Sequence, residues 1–271
     1  MSKRAPRSTE CVLSLPGGCE LLRANVFEAG RNTNVNETRV RRRPTMRCTG
    51  NQLIAPALEG DTRYTLVLDL DETVVYAREG PLYARAYLKE LLHFIKKNFE
   101  VIVWTAGEKE YAKSILEEIN VDNTIKHLIY RHKSWFTNHD YTKDLKKLGR
   151  NIDYVLIVEN SPDCVRTNPQ NSILVEDFEV HAPDVVATAS KRRFTDRTLL
   201  LLQEVLAALV ESGETVPNFL AKCPLLNQRD VRGSNGTKIR TYQLGKRRKR
   251  GAPRSSQPHG KRPKITHLQD E

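Results

Sequence analysis

Three features of the 271-residue chain predict an α/β fold built on a central, mostly parallel sheet with helices on both faces. Short runs rich in Val, Ile and Leu are nearly continuous rather than alternating, as in strands buried on both sides. Segments whose apolar residues recur at helical spacing separate these runs, an order that builds right-handed βαβ units. The strongest runs end on polar side chains, which places those groups where a crevice opens beyond the carboxyl ends of the strands.

The first run is YTLVLDLDETVVY, 64–76, in which Leu66, Val67, Leu68 and Leu70 accompany Asp69 and Asp71. LYARAYLKELLHFIKKNF follows, with Leu88, Leu91, Leu92 and Ile95 on one helical face. EVIVWT is a β-branched strand ending at Thr105, EKEYAKSILEEI a second amphipathic helix, and HLIYR a weaker strand around 127–131. YVLIVEN, from Tyr154, reads as a strong strand ending at Glu159 and Asn160, and SILV from Ser172 as one more. TLLLLQEVLAALV, from Thr198, is interrupted by Gln203 and Glu204 and falls short of the roughly 20 apolar residues that cross a bilayer. It reads as a core helix begun near Asp196 and stopped at Gly213. No internal repeat is present.

The net charge of +11 is unevenly placed. Residues 1–50 carry ten Lys/Arg against four Asp/Glu, residues 229–271 thirteen against three, and the stretch between is left at −5. This predicts a basic, partly disordered N-terminal extension over 1–60, a mildly acidic domain over 61–228, and a basic disordered tail over 229–271. The five cysteines, Cys11, Cys19, Cys48, Cys164 and Cys223, are scattered and contain no C-x-x-C pair, which argues against a disulfide framework or zinc site. The amino terminus contains Glu10, Glu20 and Glu28 and no apolar signal core, so neither a secretory signal nor a mitochondrial presequence is expected.

Asp69, Asp71, Thr105 and Asn160 stand at strand ends, and Lys143 lies in HDYTKDLKKLGR just before the strand that ends on Asn160. In one crevice, two carboxylates and a carboxamide oxygen are hard donors suited to Mg2+. A hydroxyl and an ammonium suit a phosphoryl group, whose transition state spreads negative charge over three oxygens. No Walker-type glycine-rich loop accompanies them. Taken singly, each residue also has a plainer reading. The Asp pair fits a turn or helix cap, Thr105 a cap for the helix near Glu108, Asn160 before Ser161 and Pro162 a turn, and Lys143 a solvated lysine. His132, His139, Trp135 and Phe136 read as loop packing and Cys164 as a small buried hydrophobe.

Taken together, DLDET, VIVWTAG, DYTKDLKKLGR and VLIVENSP resemble, in order, the four motifs of the haloacid dehalogenase superfamily. The version is that of the FCP/SCP-like small phosphatases that act on the carboxy-terminal domain of RNA polymerase II, and the resemblance covers roughly residues 63–212. It implies a Rossmann-like haloacid dehalogenase fold and a Mg2+-dependent protein phosphatase, phosphoserine/threonine being the expected substrate, acting through an aspartyl-phosphate. By that resemblance Asp69 is the nucleophile and Asp71 the acid and base. Thr73 fixes the turn, Thr105 and Lys143 bind the phosphoryl group, and Lys143 also holds Asp69. Mg2+ would sit on Asp69, the backbone carbonyl of Asp71 and Asn160, with Glu159 in support.

The sequence departs from the family in two places. Glu159 stands where the family usually has aspartate, and a site held to ~0.5 Å is sensitive to one methylene. Only seven residues, Val74 to Gly80, separate Thr73 from Pro81, so the β-insertion that builds the relatives' apolar proline pocket is largely absent. Neither this segment nor the one from Asn120 to Thr142 can supply a cap domain, which needs about 50 residues. An open site of this kind predicts a phosphoprotein rather than a metabolite as substrate. Two other readings remain: a catalytically weak binding module on the same fold, and a nucleic-acid end phosphatase drawing affinity from the basic tails. KRRKR and KRPK in the tail, and RVRRRP near Arg41, fit nuclear import or general polyanion binding, with the cytoplasm as the alternative location. No membrane association is expected.

Overall fold

The computed structural model describes residues 52–57, 60–78, 81–180 and 196–245, and residues 12–14 as backbone. Strands are β1 (Val12–Ser14), β2 (Tyr64–Leu68), β3 (Val75–Tyr76), β4 (Tyr83–Ala84), β5 (Phe99–Trp104), β6 (Ile125–Ile129), β7 (Val155–Glu159), β8 (Ser172–Leu174), β9 (Leu226–Arg232) and β10 (Lys238–Leu244). Helices are α1 (Leu88–Asn98), α2 (Lys109–Ile119), α3 (Thr198–Ser212) and α4 (Val216–Lys222).

Eight strands form one sheet in the order β1-β6-β5-β2-β7-β8-β10-β9. From β6 to β10 neighbouring strands are parallel, while β1 on β6 and β9 on β10 are antiparallel edges. The chain runs outward from β2 to β5 and β6, then returns to the other side of β2 for β7 and β8. The reversal opens a crevice beyond the carboxyl ends of β2, β5 and β7. Every residue of these three strands is buried, as their continuous apolar runs require.

The two faces of the sheet are covered differently. Leu66, Leu68, Val101, Val103, Leu156 and Val158 share a core with all four α-helices. The opposite positions, Val67, Ile102, Trp104, Val155 and Ile157, pack under Leu53, Ile54 and Trp135 and under the 3-10 turns Leu145–Leu148 and Pro162–Val165. Within α1, the expected stripe of Leu88, Leu91, Leu92 and Ile95 is buried, each such side chain contributing roughly 1.5–3 kcal/mol on burial. α3 ends at Gly213, whose φ of 62° is the left-handed cap geometry that glycine adopts without penalty.

The folded unit extends past both boundaries that composition suggests. Leu53 and Ile54, ahead of residue 61, are buried, and Leu53 N–H donates to the Lys147 carbonyl at 2.7 Å. β1, from the N-terminal extension, pairs with β6. At the other end the 228/229 boundary cuts β9, which pairs with β10 from Leu226↔Leu244 to Arg232↔Lys238. Charge misled here because the cations of β9 and β10, Arg229, Arg232, Lys238 and Arg240, are all solvated and leave the pairing of the strands intact. RVRRRP and the clusters of 246–271 lie outside the described residues. The short segment after Thr73 folds as the two-stranded β3–β4 hairpin, and no cap domain stands among the described residues. Among those residues no helix is long and apolar enough to cross a membrane.

Candidate active site

Beyond β2 the chain folds back on itself. Val74 and Val75 N–H both donate to the Leu70 carbonyl at 3.1 Å, and Glu72 N–H donates to the Val75 carbonyl at 2.8 Å. Glu72 adopts φ 60°, a left-handed conformation that a non-glycine residue keeps only when its surroundings hold it. Its carbonyl accepts from Phe178 N–H at 2.7 Å and its carboxylate pairs with Arg78 at 2.7 Å. Asp69 N–H donates to Val158 O at 3.0 Å, so the turn is tied to β7 as well.

Asp69, 6% exposed, accepts from Lys143 Nζ at 2.6 Å on Oδ1 and from Thr73 Oγ1 at 2.8 Å on Oδ2. Lys143 is itself buried and donates a second bond to Glu159 Oε2 at 2.6 Å. Its backbone N–H donates to Cys164 O at 2.8 Å, which ties the Lys143 segment to the chain after β7. Burial alone would lower the pKa of this ammonium, but Asp69 and Glu159 hold it above the usual lysine value. Burial and the neighbouring Asp69 raise the Glu159 carboxyl above the usual carboxylate range, with Lys143 only partly opposing. Ser161 N–H donates to Glu159 Oε1 at 3.2 Å. The extra methylene of Glu159 is thus accommodated with both of its oxygens bonded.

Asp71 has neutral partners. Thr105 Oγ1 donates to its Oδ2 at 3.0 Å, and the Tyr111 hydroxyl donates a short bond to Oδ1. Burial and the contact with Asp71 push the Tyr111 phenol above its usual value. Thr105, at the end of β5, also accepts from Gly107 N–H at 2.8 Å. A Cβ at Gly107 would lie 2.9 Å from the Tyr111 ring and 3.2 Å from Thr105 Oγ1, so this close turn needs glycine.

Asn160, past the end of β7, is oriented by acids. Its Nδ2 donates to Asp177 Oδ1 at 3.0 Å and lies 3.5 Å from Glu72 Oε2, leaving Oδ1 3.4 Å from Thr73 Oγ1. Thr73 Oγ1 therefore stands between an Asp69 oxygen and the Asn160 oxygen. The Asp71 side chain is engaged by Thr105 and Tyr111, so any part Asp71 takes in holding an ion would fall to its backbone carbonyl. Among the described residues no group of three or more His, Cys, Asp or Glu is placed to hold a metal. The available donors are a carboxylate, a carboxamide oxygen and a carbonyl, a set that fits Mg2+, which takes few protein ligands and retains water.

The structure brings Asp69, Asp71, Thr73, Thr105, Lys143, Glu159 and Asn160 to this one crevice. Sequence reasoning missed Tyr111, whose place on an amphipathic helix reads as packing, and Arg85. Arg85 is buried and donates to the Thr73 carbonyl at 2.9 Å, to Asp196 at 2.8 Å and to Thr198 Oγ1 at 3.0 Å, bolting the turn to the start of α3. A lone Arg beside Tyr and Ala carries no such signal in the sequence. Trp135 packs edge-on against Trp104 at 5.4 Å and donates to Tyr130 O at 2.8 Å, the loop-packing role expected of it. Cys164 is buried, and that burial raises its thiol pKa.

The family described as NLI interacting factor-like phosphatase matches residues 64–217. CTD small phosphatase-like protein 2 of Dictyostelium discoideum is 32% identical over 46% of this chain and 26% of its own length. The human carboxy-terminal domain RNA polymerase II polypeptide A small phosphatase 2 is 27% identical over 48% of this chain and 55% of its own. In both cases the chain spans less than two thirds of the relative. Among solved structures, Fcp1, described as an essential RNA polymerase II CTD phosphatase, aligns with a TM-score of 0.47 at 17% identity, covering 60% of this chain and 71% of that one.

Proposed function

Because the chain belongs to the NLI interacting factor-like phosphatase family, within the haloacid dehalogenase superfamily, we propose that it hydrolyses phosphate monoesters on protein side chains, phosphoserine or phosphothreonine first. The observation that carries this reading is the division of partners between two aspartates on one turn. Asp69 lies on a buried ammonium, as a carboxylate nucleophile requires, and Asp71 on two neutral hydroxyls, as a group that passes a proton back and forth requires.

In the proposed reaction an Asp69 oxygen bonds to phosphorus while the bond to the leaving oxygen breaks, and Asp71 supplies the proton that oxygen takes up. Water then attacks phosphorus and returns a proton to Asp71, and the bond from phosphorus to Asp69 breaks to release inorganic phosphate. Thr73 and Lys143 hold Asp69 in line, and Lys143 balances charge on the phosphoryl oxygens. Thr105 offers a hydroxyl to the phosphoryl group once substrate competes with Asp71 for it. Mg2+ held by Asp69, the Asp71 carbonyl and Asn160 would supply Lewis-acid polarisation and offset the phosphate charge. Glu159 does not oppose this reading, since it reaches both Lys143 and Ser161 N–H.

Among the described residues no cap domain covers the site, which favours a phosphorylated loop or tail over a metabolite. The relatives' names point to the RNA polymerase II tail. The two-residue strands of the β3–β4 hairpin leave little material for a proline pocket, so a different phosphoprotein is the better substrate for this chain. A nuclear location is proposed on the basic clusters alone. Hydrolysis of a small aryl phosphate with Mg2+ tests the chemistry. Asp69→Asn and Asp71→Asn should each abolish turnover in a folded protein. Full activity in Asp69→Asn, or in excess chelator, would remove the mechanism.

A further inference from the structure

We propose that the β9–β10 hairpin and the segment carrying Lys143 together form a docking groove for an acidic stretch of the substrate protein, apart from the crevice that takes the phosphoryl group. This rests on the phosphoprotein reading above and adds a recognition element to it.

The hairpin, 226–244, begins after the family match ends at residue 217. Its tip is fixed rather than free. Ser234 N–H donates to both carboxylate oxygens of Asp163, at 3.1 and 2.9 Å, and Asp163 is buried three residues beyond Asn160. A Cβ at Gly233 would lie 2.5 Å from Asp163 Oδ1, so the approach needs glycine there. Tyr141 OH, on the Lys143 segment, lies 3.4 Å from the same carboxylate. The hairpin is thereby locked to the loop behind the catalytic floor.

Between β10 and this floor opens a groove of about 540 Å3. Lys147, Arg166, Lys238 and Arg240 line it, with Asp140 and Asp144 among them. Lys238 and Arg240 share a single carboxylate, Asp230, each at 2.8 Å. Their side chains are 69% and 64% exposed against 28% for Asp230, so the cationic heads project and the anion sits behind them. Lys147 Nζ donates to the Ser134 carbonyl at 3.3 Å rather than to a carboxylate. Arg166 pairs with Asp140 at 2.8 Å, so the four cations meet three carboxylates, Asp140, Asp144 and Asp230, and the groove offers an anionic ligand an excess of one positive charge, carried on the exposed heads of Lys238 and Arg240.

Its size suits a few residues of an extended peptide. Asp140 and Asp144 would repel the unbroken phosphate row of a nucleic acid, whereas a peptide can place its carboxylates on the cations and skip the acids. Thr142 and Asp144, both in the groove wall, flank Lys143, whose side chain reaches Asp69. Groove and crevice thus border one backbone segment, and an extended chain advancing ~3.3 Å per residue links them with a short spacer.

The test uses the full chain and the Lys238→Gln/Arg240→Gln protein. Three substrates are compared: an aryl phosphate, a phosphoserine peptide flanked by a run of glutamates, and the same peptide with glutamines. The parent should prefer the acidic peptide, and the variant should raise its KM about tenfold while leaving the glutamine peptide and the aryl phosphate unchanged. No preference in the parent, or a variant that keeps it, overturns the proposal. Fluorescence anisotropy with the labelled, unphosphorylated acidic peptide reads docking without catalysis. If aryl phosphate is never hydrolysed but the variant loses this binding, the phosphatase reading fails and the groove stands. Tighter binding of a labelled single-stranded RNA, lost in the same variant, would overturn the peptide assignment. Lys147→Gln, on the other wall, must show the same loss and serves if the double variant does not fold.

Discussion

Two buried ionic clusters stand at opposite ends of the central strands, and they are built on opposite rules. At the amino ends, Glu100 of β5 receives the fork of Arg150 at 2.8 and 2.6 Å, Thr65 Oγ1 at 3.0 Å, and lies 3.4 Å from His127 Nε2. Burial would push this carboxyl up, but the bonds from Arg150, His127 and Thr65 hold it well below the usual range. At the carboxyl ends a single ammonium, Lys143, serves two carboxylates, Asp69 and Glu159. There burial and the second carboxylate win at Glu159, and its pKa rises. The matched cluster fastens β2 to β5. The unmatched one favours a proton on Glu159 and so sheds its surplus negative charge beside the place where a divalent cation and a phosphoryl group are proposed to meet.

Removing each cation tests this contrast most severely. Lys143→Met should lower aryl phosphate kcat/KM by at least about a thousandfold and cost ~3–5 kcal/mol of stability, since two buried carboxylates lose their partner. Arg150→Met should cost a comparable ~3–5 kcal/mol in urea unfolding. Its kcat per folded molecule should nevertheless stay near the parent value. If turnover of the folded fraction collapses in Arg150→Met, the two clusters are not separable.

A smaller effect concerns pH. Glu100 has a folded pKa below its unfolded one, so its contribution is complete above about 4.5 and is lost as pH falls toward the folded value. Glu100→Gln should be less stable than the parent by ~1–3 kcal/mol at neutral pH. That gap should close as denaturation is measured below the ordinary carboxylate pKa. A gap independent of pH would mean the loss is steric. Glu159 has the opposite sign, its raised pKa making the parent lose stability as pH rises through the window above its ordinary value. The smallest change is Glu159→Asp, which should leave turnover at least equal to the parent and move stability by no more than ~1.5 kcal/mol. A large fall in turnover would mean the position is not equivalent to the family aspartate.

The part of this site legible in the sequence is the part written at strand ends. Asp69, Thr105 and Asn160 follow runs so apolar that the element and its polar end are read together. Lys143 is different, because only its order among the other motifs distinguishes it from a surface lysine. Arg85 and Tyr111 act through tertiary contacts that no local pattern encodes. The hairpin is a case of a signal outweighed. LNQRDVR and KIRTYQL flank an Asn-Gly turn, the usual hairpin dipeptide, but their cations favoured a tail over a strand. The clue was the alternation of buried Ile239 and Thr241 with exposed Lys238 and Arg240.

The parallel pairing of β10 with β8 sets a schedule for the growing chain. Leu174 and Lys238 lie roughly sixty residues apart, which is several seconds of synthesis at roughly 5–20 residues per second. Until then the edge of β8 that faces β10 in the folded protein lacks the partner it has there, and an unpartnered strand edge is a template for other strands. The arrival of the hairpin closes that edge, through Tyr242 beside Ile173 and Gln243 beside Leu174.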